Sequence, residues 1–204
     1  MLTIQNIERQ SAGVNLFSDF GITLLPGSLL RVEGANGSGK SWLLEMIAGI
    51  APVSTGCISF AEEETRGDSE FFSDLLHIPQ RHDNSLKPRL TVRKQIERLS
   101  PKGEADLVDA ALNFFGLTAL GDQKVAALTY GQQQRIYLTP LITQPRLIWL
   151  LDRPMMGLDT NGRRAVDTLI AGRCQQNGIV IYTHEGESLL NPHGTIHTDE
   201  YLTV

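Results

Sequence analysis

The stretch Gly34-Ala35-Asn36-Gly37-Ser38-Gly39-Lys40-Ser41 fits the pattern G-x-x-x-x-G-K-[ST] without a gap, and its residue types answer to one chemical task. Glycines at Gly34, Gly37 and Gly39 let the backbone take positive-φ turns and approach a polyphosphate closely, so that successive N–H groups point inward as donors. Lys40 adds a point charge for the β- and γ-phosphates, and Ser41 a hydroxyl for Mg²⁺. The flanks supply the context such a loop needs. Leu29-Leu30-Arg31-Val32-Glu33 before it is an apolar run of strand length, and Trp42-Leu43-Leu44-Glu45-Met46-Ile47-Ala48 after it has helical character. Strand, loop and helix in that order put a helix N-terminus against the phosphates, where free N–H groups and the helix dipole favour an anion.

The bulk properties of the chain agree with a nucleotide-binding globular domain. Its 204 residues suit one domain with room for an inserted subdomain, and 41% hydrophobic against 20% charged residues is ordinary for a packed core. Eighteen Lys and Arg against 23 Asp and Glu give a net charge of −5, which argues against nucleic acid or anionic lipid as a partner. Cys57 and Cys174 form no C-x-x-C, so reduced thiols in packed surroundings are expected. Neither a signal-peptide pattern nor an apolar run of membrane-spanning length is expected, so a membrane role would have to come from another chain.

Outward from the loop, Leu2 to Ile7 alternates apolar and polar residues as a half-exposed strand. Phe17 to Leu25 reads as a second, closed by the turn pair Pro26-Gly27. The helix after the loop stops at Gly49, with Pro52 beyond it. Cys57 to Phe60 is a short strand, Glu62 to Ser69 a solvated loop, and Leu75 to Pro79 a buried strand that delivers Gln80. From Leu90 to Leu128 the pattern turns helical, with Val92, Ile96 and Leu99 on one face. Leu107, Val108, Ala111, Leu112 and Phe115 mark another, stopped by Gly116. Leu147 to Leu151 is a continuous apolar run ending in Asp152, as in a parallel strand buried on both faces. A helix from about Gly162 to Cys174, the strand Ile179 to Tyr182, His184, and one or two short strands after Pro192 complete the chain.

An apolar strand ending in Asp152, downstream of a phosphate loop, is the second half of a P-loop nucleotidase site, with the aspartate on Mg²⁺ directly or through water. Leu128-Thr129-Tyr130-Gly131-Gln132-Gln133-Gln134-Arg135 resembles the L-S-G-G-Q signature of ATP-binding-cassette (ABC) ATPases. Gln80 matches that family's Q-loop, Met156-Gly157-Leu158-Asp159 its D-loop and His184 its switch histidine. The resemblance covers nearly the whole chain. It implies an α/β P-loop NTPase fold, a RecA-like ABC ATPase core with an antiparallel β edge and an inserted helical subdomain. Residues 1–204 are then one ABC ATPase domain, with its core at 1–83 and 140–204 and the helical subdomain at about 84–139. ATP and Mg²⁺ are the implied ligands, with Ser41, Gln80 and Asp152 toward the metal. A homodimer or a pairing with a similar ABC subunit is implied as well, so that Thr129, Gly131, Gln132 and Asp159 close over nucleotide on the partner's loop. Val32-Glu33-Gly34, Leu43-Leu44-x-x-Ile47-Ala48-Gly49, Lys87-Pro88-x-Leu90-Thr91-Val92 and the doubled glutamine after the signature resemble the CcmA family of haem-exporter ATPases in cytochrome c maturation. This implies CcmB- and CcmC-like integral membrane partners, and a peripheral place on the cytoplasmic face of the inner membrane. A P-loop kinase or GTPase would leave the signature and His184 unemployed, and no N-K-x-D-like guanine reader is present.

Four departures from the family pattern carry consequences. The glutamate expected after Asp152 is Arg153, which stays protonated and cannot act as a base. A lost general base costs about 10²–10⁴ in rate, while a guanidinium about 4 Å from a phosphate at intermediate dielectric gains roughly 4 kcal/mol per unit charge. Tight ATP binding with slow turnover is therefore expected, with His184 left as the one water-orienting group. The alternative is that Arg153 points to solvent and Glu185 compensates. Tyr130 stands where the signature has glycine, so a phenol ring must find room. Pro140, inside the helix after the signature, should kink or shorten it. Arg9 to Asn15, where many ABC ATPases place an adenine-stacking aromatic, has none, and Phe17 is too far along to serve.

Overall fold

The computed structural model describes the chain except residues 12–13, 66–67, 83, 101–104, 185–189, 191 and 202–204, and gives only the backbone of residues 10, 11, 14–18 and 201. In chain order the elements are β1 (Leu2–Ser11), β2 (Val14–Leu24), β3 (Leu29–Glu33), α1 (Lys40–Ile47), β4 (Thr55–Phe60), β5 (Glu63–Glu64), α2 (Ser69–Ser73) and β6 (Leu75–Ile78). There follow α3 (Val92–Leu99), α4 (Ala105–Phe114), α5 (Tyr130–Tyr137), α6 (Pro140–Thr143), β7 (Ile148–Leu151), α7 (Thr160–Gln175), β8 (Ile179–Thr183) and β9 (Gly194–His197). Two compact units result: Met1–Pro79 with Arg146–Arg153 and Gly172–Val204, and Gln80–Pro145 with Pro154–Ala171.

The first unit holds two sheets. One is parallel, in the order β6-β7-β8-β3-β9, and the other antiparallel, in the order β2-β1-β4-β5. Every residue of β7 and β8 is buried, which is why both read as unbroken apolar runs. Leu30 and Val32 of β3, Leu43 and Leu44 of α1 and Ile148 and Leu150 of β7 join Leu2, Ile4 and Ile58 of the antiparallel sheet in one core cluster. β3 lies between β8 and β9, so the loop leaving its end, residues 34–39, starts from a buried central strand. Glu62 to Ser69 is not simply a solvated loop: Glu63 and Glu64 pair with Phe60 and Ser59, and Asp68 caps α2 by accepting from the Glu70 amide at 2.8 Å. Arg66 and Gly67 lie outside the described residues, as does Gly13.

In the second unit α3 packs on α4 and α5, and α4 on α6. The expected faces are the packed ones: Val92 and Ile96 of α3 and Val108, Ala111 and Leu112 of α4 are buried, and Gly116 ends the run after α4 at φ 65°. Pro140 breaks the helix after the signature rather than bending it. α5 stops at Tyr137, and Pro140 becomes the first residue of α6, where its missing N–H is no loss.

Candidate functional site

The phosphate loop has the backbone its glycines allow, with φ of 144° at Gly34, 86° at Gly37 and 82° at Gly39, the last immediately before α1. A side chain at Gly34 is excluded: a Cβ there would sit 2.4 Å from both Ser38 Oγ and Thr198 Oγ1. Lys40 is buried with its ammonium laid on its own loop, donating to the Gly34 and Ala35 carbonyls at 2.7 Å each. The 3₁₀ segment Thr198–Tyr201 braces the loop from the far end of the chain. Thr198 shares a hydrogen bond of 2.6 Å with Ser38 Oγ and donates to the Glu33 carbonyl, and Asp199 accepts from the Ala35 amide at 3.2 Å.

Asp152, at the end of β7, meets the loop directly. Ser41 Oγ donates to Asp152 Oδ2 at 2.5 Å, and Thr183 Oγ1, at the end of β8, donates to Asp152 Oδ1 at 2.7 Å. Thr183 also accepts from the Arg153 amide at 2.7 Å, so one buried hydroxyl orients both residues. Arg153 takes a left-handed φ of 49°. Its Nη2 donates to Asn36 Oδ1 at 2.6 Å, and its side chain lines, with Gly37 to Trp42, a cavity of about 220 Å³ over the loop. Arg153 is therefore engaged with the loop, not directed to solvent; Glu185 lies outside the described residues. His184 is 5% exposed, and its Nε2 is buried with no hydrogen-bond partner among the described residues.

A hydroxyl and a carboxylate in contact beside a glycine cradle suit Mg²⁺, which uses one or two protein oxygens and takes the rest from phosphate and water. The cradle itself, at the start of α1, suits a polyphosphate.

The remaining candidates lie in the second unit. Thr129 and Gln132 form a reciprocal capping box at the start of α5: Thr129 Oγ1 accepts from the Gln132 amide at 3.3 Å and Gln132 Oε1 from the Thr129 amide at 2.9 Å. The Thr129 hydroxyl hydrogen remains available to an anion. Gly131 follows in the first turn, where a Cβ would come 3.1 Å from the Gly157 carbonyl. Asp159 accepts both oxygens' worth of contact from Arg135 Nη2, at 2.7 and 2.9 Å, and also accepts from the Gly162 amide at 2.8 Å. The Gly162 amide, followed by the Arg135 guanidinium, holds its carboxyl below the usual range. Gln80 Nε2 lies 3.8 Å from Met156 Sδ.

Tyr130 finds its room in two ways. Its ring rests where Gly157 has no side chain, a Cβ there falling 2.2 Å from Cε1, and the Arg81 guanidinium covers it at 4.0 Å. Arg81 is in turn fixed by Gln134 Oε1 at 3.0 Å and Gln133 Oε1 at 3.2 Å. Sequence reasoning missed Thr183, Thr198, Asp199 and Arg81. Arg81 adjoins Gln80 and Thr183 adjoins His184 in the sequence, but neither residue type marks its role.

Comparison with known proteins places these features in company. The family model described as ABC transporter matches residues 17–156. The cytochrome c biogenesis ATP-binding export protein CcmA 2 of Cupriavidus metallidurans is 32% identical over 176 residues, covering 83% of this chain and 82% of that protein. The CcmA of Vibrio cholerae is 31% identical, covering 94% and 95%. Among solved structures, an ATP-binding protein of an ABC transporter from Pyrococcus furiosus superposes with a TM-score of 0.83 over 99% of both chains at 20% identity. Among the described residues, no helix is long and apolar enough to cross a membrane.

Proposed function

The chain belongs to the ABC transporter family of ATP-binding subunits, and we propose that it powers an export complex of cytochrome c biogenesis whose cargo is haem. The observation that carries the reading is the Ser41–Asp152 contact at 2.5 Å beside the positive-φ loop, together with relatives named for that export step. In this reading Lys40 and the amides of residues 37–41 grip the β- and γ-phosphates, and Ser41 and Asp152 hold Mg²⁺, with Gln80 contributing. When bound, the metal supplies positive charge against the phosphate oxygens. Thr129, Gly131, Gln132 and Asp159 of a second copy or a similar subunit close the site. CcmB- and CcmC-like membrane chains provide the path, and the chain sits peripherally on the cytoplasmic face of the inner membrane.

A slow, nucleotide-gated variant of the same role is favoured by one observation, the Arg153–Asn36 bond, which sets a cation where a carboxylate base is expected. Arg153 adds attraction for bound ATP, while His184, with its open Nε2, is the side chain left to orient water. Affinity purification of the full chain from membranes tests both levels. Co-elution of one or two integral membrane chains is expected, and retention of none overturns the transporter role. Assayed in that complex, Arg153→Glu should raise turnover at least tenfold and weaken ATP binding. A parent turnover of several per second, unchanged by Arg153→Ala, refutes the slow variant.

A further inference from the structure

A polyphosphate has no use for an indole, yet an indole forms part of the wall of the phosphate pocket. Trp42, in the first turn of α1, lines the cavity of about 220 Å³ beside the loop amides and Arg153. Its neighbours Leu43 and Leu44 are fully buried in the core, whereas Trp42 is only half-buried. A ring placed against a highly charged, strongly hydrated ligand gains nothing from the phosphates themselves. It gains by stacking only if the ligand also carries a π-face, which a nucleobase does.

A second observation comes from a different element. Arg9, near the end of β1, lays its guanidinium 5.1 Å from the centroid of the Trp42 ring. Among the described residues its Nη1 is buried with no hydrogen-bond partner and it makes no ion pair. A cation on an indole face is held there by the ring's quadrupole, and in turn fixes the orientation of the ring.

We propose that Trp42 forms the nucleoside end of the phosphate-loop pocket, with the purine stacked on the indole and Arg9, behind the ring and outside the cavity wall, acting as a positioning residue that holds it. This rests on the reading that the loop binds ATP. It assigns the aromatic contact to the first turn of the loop helix, in a chain whose segment Arg9 to Asn15 contains no aromatic residue. Base–aromatic stacking is worth about 1–3 kcal/mol by alanine substitution, which converts to a roughly five- to 150-fold change in affinity.

Calorimetric titration of the full chain with ATP and with inorganic tripolyphosphate, both with Mg²⁺, separates the nucleoside from the phosphates. Trp42→Leu should weaken ATP at least tenfold and leave tripolyphosphate within twofold. Trp42→Phe, which keeps a ring, should hold ATP within about threefold of the parent. Arg9→Gln should weaken ATP and not tripolyphosphate, and by less than Trp42→Leu. Equal losses for the two ligands, or no loss of ATP affinity, overturn the assignment by making Trp42 a structural support of the loop. Failure of the parent chain to bind either ligand is a different result: it removes the ATP reading of the loop, and this inference with it.

Discussion

Thr183 shows how much of this site hangs on one hydroxyl. It is fully buried, gives its proton to Asp152 Oδ1 and takes one from the Arg153 amide, both at 2.7 Å. Thr183→Val keeps the shape and removes both bonds, leaving a buried N–H without its acceptor and a carboxylate oxygen without its donor. Each of the two orphaned groups costs about 1–3 kcal/mol, so urea unfolding should show a loss of about 2–6 kcal/mol. Thr183→Ser should recover most of it. Thr183→Val should also loosen Asp152 and weaken Mg²⁺-dependent ATP binding more than it weakens binding of ATP alone. A loss below about 1 kcal/mol with metal dependence intact would show that water replaces the threonine at no cost. Asp152 could be read from sequence because an apolar run ending in an acid downstream of a phosphate loop is a pattern. Thr183 could not, because a β-branched residue closing a strand is what any strand propensity favours.

At the scale of elements, the break between α5 and α6 is chemically prepared. Pro140 cannot donate to the Ile136 carbonyl four residues back, and Thr139 takes over with its hydroxyl at 2.7 Å as well as its amide at 3.1 Å. Thr139 is fully buried. Thr139→Val should therefore cost about 0.5–1.5 kcal/mol in the Pro140 background and less in a Pro140→Ala background, where the backbone donor returns. A double-mutant cycle by urea unfolding should show at least about 0.5 kcal/mol of coupling; strict additivity refutes the substitution of one donor for the other. Such elements were legible to differing degrees for physical reasons. The strands Ile148–Leu151 and Ile179–Thr183 declared themselves because a strand covered on both faces must be largely apolar, whereas Leu29–Glu33, with Arg31 and Glu33 only half-buried, was marked by its place just before the phosphate loop. The two-residue strand at Glu63 was invisible, because its stability comes from pairing with Ser59 and Phe60 and not from its own side chains. The brace of Thr198 and Asp199 on the phosphate loop joins positions about 160 residues apart, and no local periodicity encodes it.

For the whole molecule, acid should be the destabilising direction, and among the described residues His77 contributes to it from pH 6.5 downward and Asp159 from 3.8 downward. His77, on β6 beside Leu150 of β7, has its pKa lowered from 6.5 by burial, an effect the nearby Asp152 charge only partly offsets. Below pH 6.5 the unfolded chain takes up a proton that the folded chain refuses, so stability is complete above 6.5 and declines as pH falls toward the lowered value. One proton of difference gives a slope of at most about 1.4 kcal/mol per pH unit. Asp159 acts further down. Its carboxyl is depressed from 3.8 by the Gly162 amide and by Arg135, so its contribution is present above 3.8 and is lost as pH drops through the depressed value. Urea midpoints measured from pH 8 to about pH 2.5 should be flat above about 7 and fall below 6.5. His77→Gln, which keeps a neutral polar side chain, should remove most of that fall while leaving the loss below pH 3.8 in place. A parent and a His77→Gln chain that decline in parallel between pH 6.5 and 5 would move the refused proton to another group and leave β6 without a role in the pH dependence.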